Sequence, residues 1–182
     1  YMNPVSGATI NWTNTADGDT VNAGLLTNSG GYAQANWVLR TQAGYDTLRA
    51  TASGADPALF RATVIPGAAV NITSITGNNR TTFAGSGRLL QAEVRDQYNN
   101  LVANRSVGFL PATRVSNPVT STNSSGMAQS VYFPPANLDS SIARAYIIGA
   151  NDTTTFNVYA VRYNSNSLNP KVGLPGDTLT FY

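Results

Sequence analysis

Residues 27–37, TNSGGYAQANW, return as residues 122–132, TNSSGMAQSVY, 95 positions later. A self-similarity at that distance means repeated units, and 182 residues leave room for two of about ninety. Both copies place a glycine in the turn, Gly31 and Gly126, and both then alternate small apolar with polar residues. Ala33, Ala35, Trp37 and Leu39 share one face of the first copy, with Tyr32, Gln34 and Asn36 on the other. In the second copy Ala128, Ser130 and Tyr132 take the inward phase. A period of two after a glycine turn predicts a half-buried antiparallel strand.

The rest of each block carries the same period. In the first block strands are expected around residues 10–12, 20–26, 46–52 and 59–64. Trp12, Leu48, Ala50, Ala52, Phe60, Ala62 and Val64 lie on the inward phase. In the second, strands are expected at 70–76, 89–96, 106–110, 141–148 and 153–160. Leu90, Ala92 and Val94 face inward, and Phe156, Val158 and Ala160 match Phe60, Ala62 and Val64 in spacing. Pro66 and Gly67 form a short linker. No segment sustains a 3.6-residue apolar period, so helix is expected to be negligible. Short strands about a dozen residues apart predict β-sandwiches.

Composition narrows the chemistry. Charged residues are 11% of the chain, against ~25% in ordinary globular domains. The net charge is +2 and ten of the eleven cations are Arg, without a basic stripe, which argues against nucleic-acid binding. There is no Cys, so no disulfide or thiolate site forms, and no His, the commonest general base and transition-metal ligand. No apolar run approaches the ~18 residues of a membrane span. No catalytic residue, metal site or cofactor is expected.

Three motifs recur in order. Asp96-Gln97-Tyr98-Asn99-Asn100-Leu101-Val102 has its first-block counterpart in Tyr1-x-Asn3-x-Val5. Thr122-Asn123-Ser124-Ser125-Gly126-Met127-Ala128 matches Thr27 to Ala33. A strand ends in Ala62-Thr63-Val64-Ile65-Pro66-Gly67. Together these resemble the intimin/invasin-type bacterial immunoglobulin-like domain over nearly the whole chain. The resemblance implies an all-β chain of tandem immunoglobulin-like β-sandwiches, extracellular or on a prokaryotic cell surface, without enzymatic activity.

Aligning Tyr1 with Tyr98 places the start of the first block in mid-domain. Residues 1–67 are therefore expected to form an incomplete sandwich lacking its two opening strands, and 68–161 a complete one. Residues 162–182 form a tail resembling the opening strands of a further domain. Setting Gly176 against Gly87 pairs Leu179 with Leu90 and Phe181 with Ala92. Leu179 and Phe181 thus become a candidate donor strand, and Ala33, Ala35, Trp37 and Leu39 its acceptor groove. The tail of one copy would complete the first block of the next. The same order also fits a piece of a longer covalent repeat, or opening strands belonging to the same molecule. A covalent join would need a shortened hairpin, because only the positions of residues 94–97 separate the tail's end from Tyr1.

Other features have plainer readings. Asp17-Gly18-Asp19 reads as a polar turn, since calcium needs six to eight oxygens. Asp96 beside Tyr98 and Asn100 reads as a side-chain-bonded turn. Both tryptophans read as core, and Tyr32, Tyr45 and Tyr163 as exposed contact residues. Asn11, Asn71, Asn79, Asn104, Asn123 and Asn151 each open an N-x-S/T triplet and are the candidate glycosylation positions. Lys171 is the sole lysine and lies in the tail, so neither block can form an internal Lys–Asn isopeptide cross-link. Leu174-Pro175-Gly176-Asp177-Thr178 lacks the order of a sortase signal. Two roles follow: a structural module of a stalk or filament that meets copies of itself head to tail, or an adhesin module whose loops contact a host protein or glycan.

Overall fold

The computed structural model describes residues 3–137 and 139–161. The chain divides into two compact units, Tyr1–Pro66 and Gly67–Tyr182. Among the described residues it is all-β, with one short 3-10 turn at Ala112–Arg114. The sequence positions Tyr163, Lys171, Leu179 and Phe181 lie outside the described residues.

The second unit is a full sandwich. Its strands are β6 (Ala69–Thr76), β7 (Arg80–Phe83), β8 (Arg88–Asp96), β9 (Ser106–Leu110), β10 (Val119–Ser121), β11 (Met127–Tyr132), β12 (Ser140–Ile147) and β13 (Thr153–Val161). One sheet has the order β10-β9-β12-β13-β7 and the other β11-β8-β6. The inward residues of each strand meet between them. Leu90, Ala92 and Val94 of β8 pack with Val107 and Phe109 of β9, Tyr132 of β11, Ala143, Ala145 and Ile147 of β12, and Phe156 and Val158 of β13, all essentially without solvent contact. Two alternating faces closed on each other are the physical definition of a sandwich core. β7 was absent from the sequence reading. It is four residues long and pairs with β13 in parallel, at the sheet's edge.

The first unit has β1 (Ile10–Asn14), β2 (Thr20–Ala23), β3 (Ala35–Val38), β4 (Gly44–Ala52) and β5 (Ala58–Val64). They form a three-stranded sheet β1-β4-β5 and a two-stranded sheet β2-β3. Register ties this sheet to the second unit: Trp12↔Ala50 and Leu48↔Phe60 repeat Phe109↔Ala145 of β9 and β12 and Ala143↔Phe156 of β12 and β13. The outcome in burial differs. Among the described residues of this unit only Asp46 and Leu48 are buried.

Several expectations for the first unit need correction. Phe60 was expected in the core and is 48% exposed. Trp12, Trp37, Leu39, Ala50 and Ala52 are half-buried. All lie on the inward phase, but the layer that β6 and β8 supply in the second unit has no counterpart here among the described residues, so the inward face stays partly wet. The strand expected over residues 32–39 after the Gly31 turn is shorter, four residues at Ala35–Val38. That expected over residues 20–26 ends at Ala23, and Leu26 adds only an isolated bridge to Thr9.

Candidate functional site

The repeated motif builds the same turn twice. In the first unit the Asn28 side-chain oxygen accepts from the Gly30 and Tyr32 amides at 2.9 and 3.0 Å. In the second the Asn123 oxygen accepts from the Ser125 and Met127 amides at the same distances. The glycine amide then donates to the asparagine carbonyl, Gly31 to Asn28 and Gly126 to Asn123. Gly31 and Gly126 sit at φ +77° and +66°, a left-handed conformation that side chains with a Cβ resist. The threonine hydroxyl before each asparagine ties the turn to a loop some twenty residues earlier in the chain. Thr27 donates to the Val5 carbonyl and Thr122 to the Val102 carbonyl, both at 2.6 Å. Side-chain oxygens replacing main-chain partners are the reason Asn and Thr recur here.

From that turn the chain enters β3, and the two units part. In the second unit the Val94 amide of β8 donates to the Gly126 carbonyl, and β11 pairs along β8 with Ala128↔Ala92 and Ser130↔Leu90. In the first unit β3 pairs with β2 on one side, and its other edge carries no strand among the described residues. Ala33, Ala35, Trp37 and Leu39, the sequence-derived acceptor positions, are brought together on one face and are all half-buried. Tyr32, Gln34, Asn36 and Val38 alternate with them and are exposed.

A second edge is open as well. β5 holds the place of β13, yet among the described residues its outer side lacks the strand that β7 gives β13. Phe60 on this strand is 48% exposed, whereas Phe156 at the matching position is 0% exposed. The Trp12 ring leans on Phe60 with ring centroids 6.0 Å apart. Leu59 and Ile65 are exposed nearby in sequence.

Polar groups hold this half-open face in shape. Asp19 accepts from the Trp37 indole N–H at 2.9 Å and from the Arg40 amide at 2.7 Å. The Trp12 indole donates to the Gly24 carbonyl at 3.1 Å. Arg40 reaches Asp46, Nη2 to Oδ1 at 2.8 Å, and the Asp46 side chain is fully buried. Sequence reading missed this carboxylate. The signal was available, because Asp46 falls on the phase of Leu48, Ala50 and Ala52. Its partly exposed partner Arg40 keeps some hydration, which limits the usual cost of a buried pair.

The Asp17–Asp19 turn spends the Asp19 carboxylate on Trp37 and Arg40, and among the described residues no group of three or more His, Cys, Asp or Glu could hold a metal. In the second unit Asp96 closes its loop by accepting from the amides of Gly67, Tyr98 and Asn100 and from the Asn100 side chain. Burial pushes its carboxyl up, but these donors outweigh burial and hold it below the usual carboxylate range. All six N-x-S/T asparagines are exposed. The outer side of β2 and β3 also carries a shallow concavity of about 590 Å³ lined by Asn22, Leu26, Tyr32, Gln34 and Asn36 among others.

No protein-family model matches the chain, and none of the curated proteins matches it. Among solved structures it is similar in fold to domains of the intimin/invasin type. The Escherichia coli adhesin FdeC is 20% identical with a TM-score of 0.47, over 86% of this chain and 55% of that one. The D0-D1 domain of intimin is 12% identical with a TM-score of 0.39, over 86% and 83%. The Yersinia pseudotuberculosis adhesin InvE is 19% identical with a TM-score of 0.42, over 87% and 50%. The chain thus spans about half the length of the FdeC and InvE structures.

Proposed function

We propose that this protein is a structural module of an extracellular filament or cell-surface stalk, in which tandem immunoglobulin-like units join head to tail by strand complementation. The observation that carries this reading is the open edge of β3 beside the half-buried Ala33, Ala35, Trp37 and Leu39. An unpaired edge over an apolar face invites an added strand. The register of β11 on β8, transferred to the first unit, sets Phe181 of the incoming tail opposite Ala33 and Leu179 opposite Ala35. Large side chains then meet small ones. Covering each would contribute roughly 1.5–3 kcal/mol. A head-to-tail contact that does not close on itself propagates as a fibre.

The test is to remove residues 177–182, or to make Phe181→Asp, and follow assembly by light scattering and electron microscopy. Both changes are expected to abolish filaments. Assembly equal to that of the parent chain would refute the tail as connector.

A second reading is a ligand-binding adhesin module that contacts a host protein or glycan. The concavity beside Tyr32 supports it, since an exposed tyrosine among amide side chains suits a neutral sugar. Binding to a glycan array that survives Tyr32→Ala would remove that support.

A further inference from the structure

The second unit begins and ends on strands that run side by side. We propose that it is built to carry tension along the chain, through a seam in which β6 and β7 lie parallel to β13 and part only when all the bonds between them are strained together. Every contact of that seam lies within the second unit, so the inference does not rest on strand complementation.

The seam is longer than the β7–β13 ladder. It starts where side chains at the head of β13 reach β6. The Ile72 amide donates to Asp152 Oδ2 at 2.7 Å, and the Ser74 amide to the Thr154 hydroxyl oxygen at 3.1 Å. Beyond the end of β6, the Asn157 amide donates to Asn78 Oδ1 at 2.9 Å. The main-chain ladder follows, from Val158↔Arg80 to Val161↔Phe83, and the Ala84 amide closes it on the Val161 carbonyl at 2.8 Å. From Ile72 beside Asp152 to Ala84 beside Val161 the two segments advance together, so the course is parallel throughout.

The side chains do here what the ladder cannot. β6 is the edge of the β11-β8-β6 sheet and β7 belongs to the other sheet, so the chain changes sheets while staying beside β13. β6 pairs with β8 on one side, and amides on its other side need acceptors. Asp152 and Thr154 supply them at Ile72 and Ser74, and Asn78 supplies one to β13 just before the ladder begins.

Direction decides how such a seam fails. In an antiparallel hairpin the two free ends lie together, and a pull on them parts the bonds one at a time. In a parallel pair the incoming end of one strand and the outgoing end of the other lie at opposite ends, so a pull slides the strands and loads the bonds at once. Tension enters the unit at Gly67, whose amide donates to the buried Asp96 carboxylate at 2.8 Å, and leaves it through β13.

The chain has no cysteine, so added thiols define where single molecules are pulled. Force spectroscopy through Ile65→Cys, a 76% exposed position, and a cysteine appended after Tyr182 loads the seam lengthwise. Ala136→Cys, exposed ahead of β12, with the same appended cysteine pulls β12 and β13 apart from their shared end, where Ser140 faces Tyr159. The lengthwise pull is expected to need a several-fold larger force. Equal forces would overturn the seam. Asn78→Ala combined with Asp152→Ala is expected to lower the lengthwise force, and an unchanged force would overturn the part given to these side chains. Forced unfolding reports a barrier, whereas melting reports an equilibrium. Gly126→Ala, which strains a turn outside the seam, is therefore expected to lower the melting temperature with little change in force. A loss of force as large as that of the seam variant would show that force merely follows stability, and would overturn the proposal.

Discussion

The two units share a turn, a register and an inward phase, yet one has a dry core and the other a damp half-core. Trp12, Leu48, Ala50, Phe60 and Trp37 of the first unit correspond to Phe109, Ala143, Ala145, Phe156 and Tyr132 of the second, and only Leu48 of the first set is buried. All five of the second set are buried. The apolar pattern is thus the same, and the difference lies in what stands across from it. In the second unit Ile72, Leu90, Ala92 and Val94 close the sandwich. The comparison teaches that alternation encodes one face of a core, and that burial is a property of two faces together.

The largest effect should come from the matched phenylalanines. Phe156→Ala is expected to cost about 3–5 kcal/mol, the range for a core Phe. Phe60→Ala should cost roughly 1 kcal/mol, because half the side chain is already in water. Denaturant melts of the two variants decide it. Equal losses would break the comparison, and a Phe156→Ala loss several times larger would sharpen it.

The turn glycines come next. A Cβ at Gly126 would stand 2.9 Å from the Val94 carbonyl oxygen, a main-chain atom held in the sheet. At Gly31 the nearest atom is Pro4 Cβ at 3.1 Å. Both substitutions to Ala carry a left-handed backbone cost of about 1–2 kcal/mol. Gly126→Ala should exceed Gly31→Ala in thermal melts, and the reverse order would show that the two turns are not equivalent in their surroundings.

The smallest expected effect concerns acid. Asp96 has a folded-state pKa below its unfolded value of ~3.9. Its stabilisation is therefore complete well above pH 4 and is lost as the pH falls through that value toward the folded pKa. Melts of the second unit's transition from pH 6 to 2 should show a slope in this window that Asp96→Asn flattens. An unchanged slope would place the acid sensitivity elsewhere.

Much of the architecture was legible because it is written locally. Gly31 and Gly126, with the asparagines and threonines before them, announce a turn whose hydrogen bonds run over four residues or fewer, apart from the threonine hydroxyl. Period-two runs such as Leu90-x-Ala92-x-Val94 announce strands and their inward sides. The shared half-buried face of Ala33, Ala35, Trp37 and Leu39 was legible for the same reason. β7 was not. A parallel edge strand of four residues, Arg-Thr-Thr-Phe, has no alternation to show and no hairpin turn to its partner, which lies about 80 residues away in sequence. Asp46 was passed over because a carboxylate on an apolar phase makes sense only once Arg40 is seen beside it.

By itself, then, the sequence determined the repeat, the turn chemistry, the strand phase and the absence of His and Cys chemistry, since each depends on neighbours within a few residues. Only the tertiary structure decided that Phe60 is half in water while Phe156 is dry, and that among the described residues both β3 and β5 present an unpaired edge. Those outcomes depend on which distant strand lies alongside, and the free energy of pairing and burial belongs to the contact between segments, which neither segment's own pattern records.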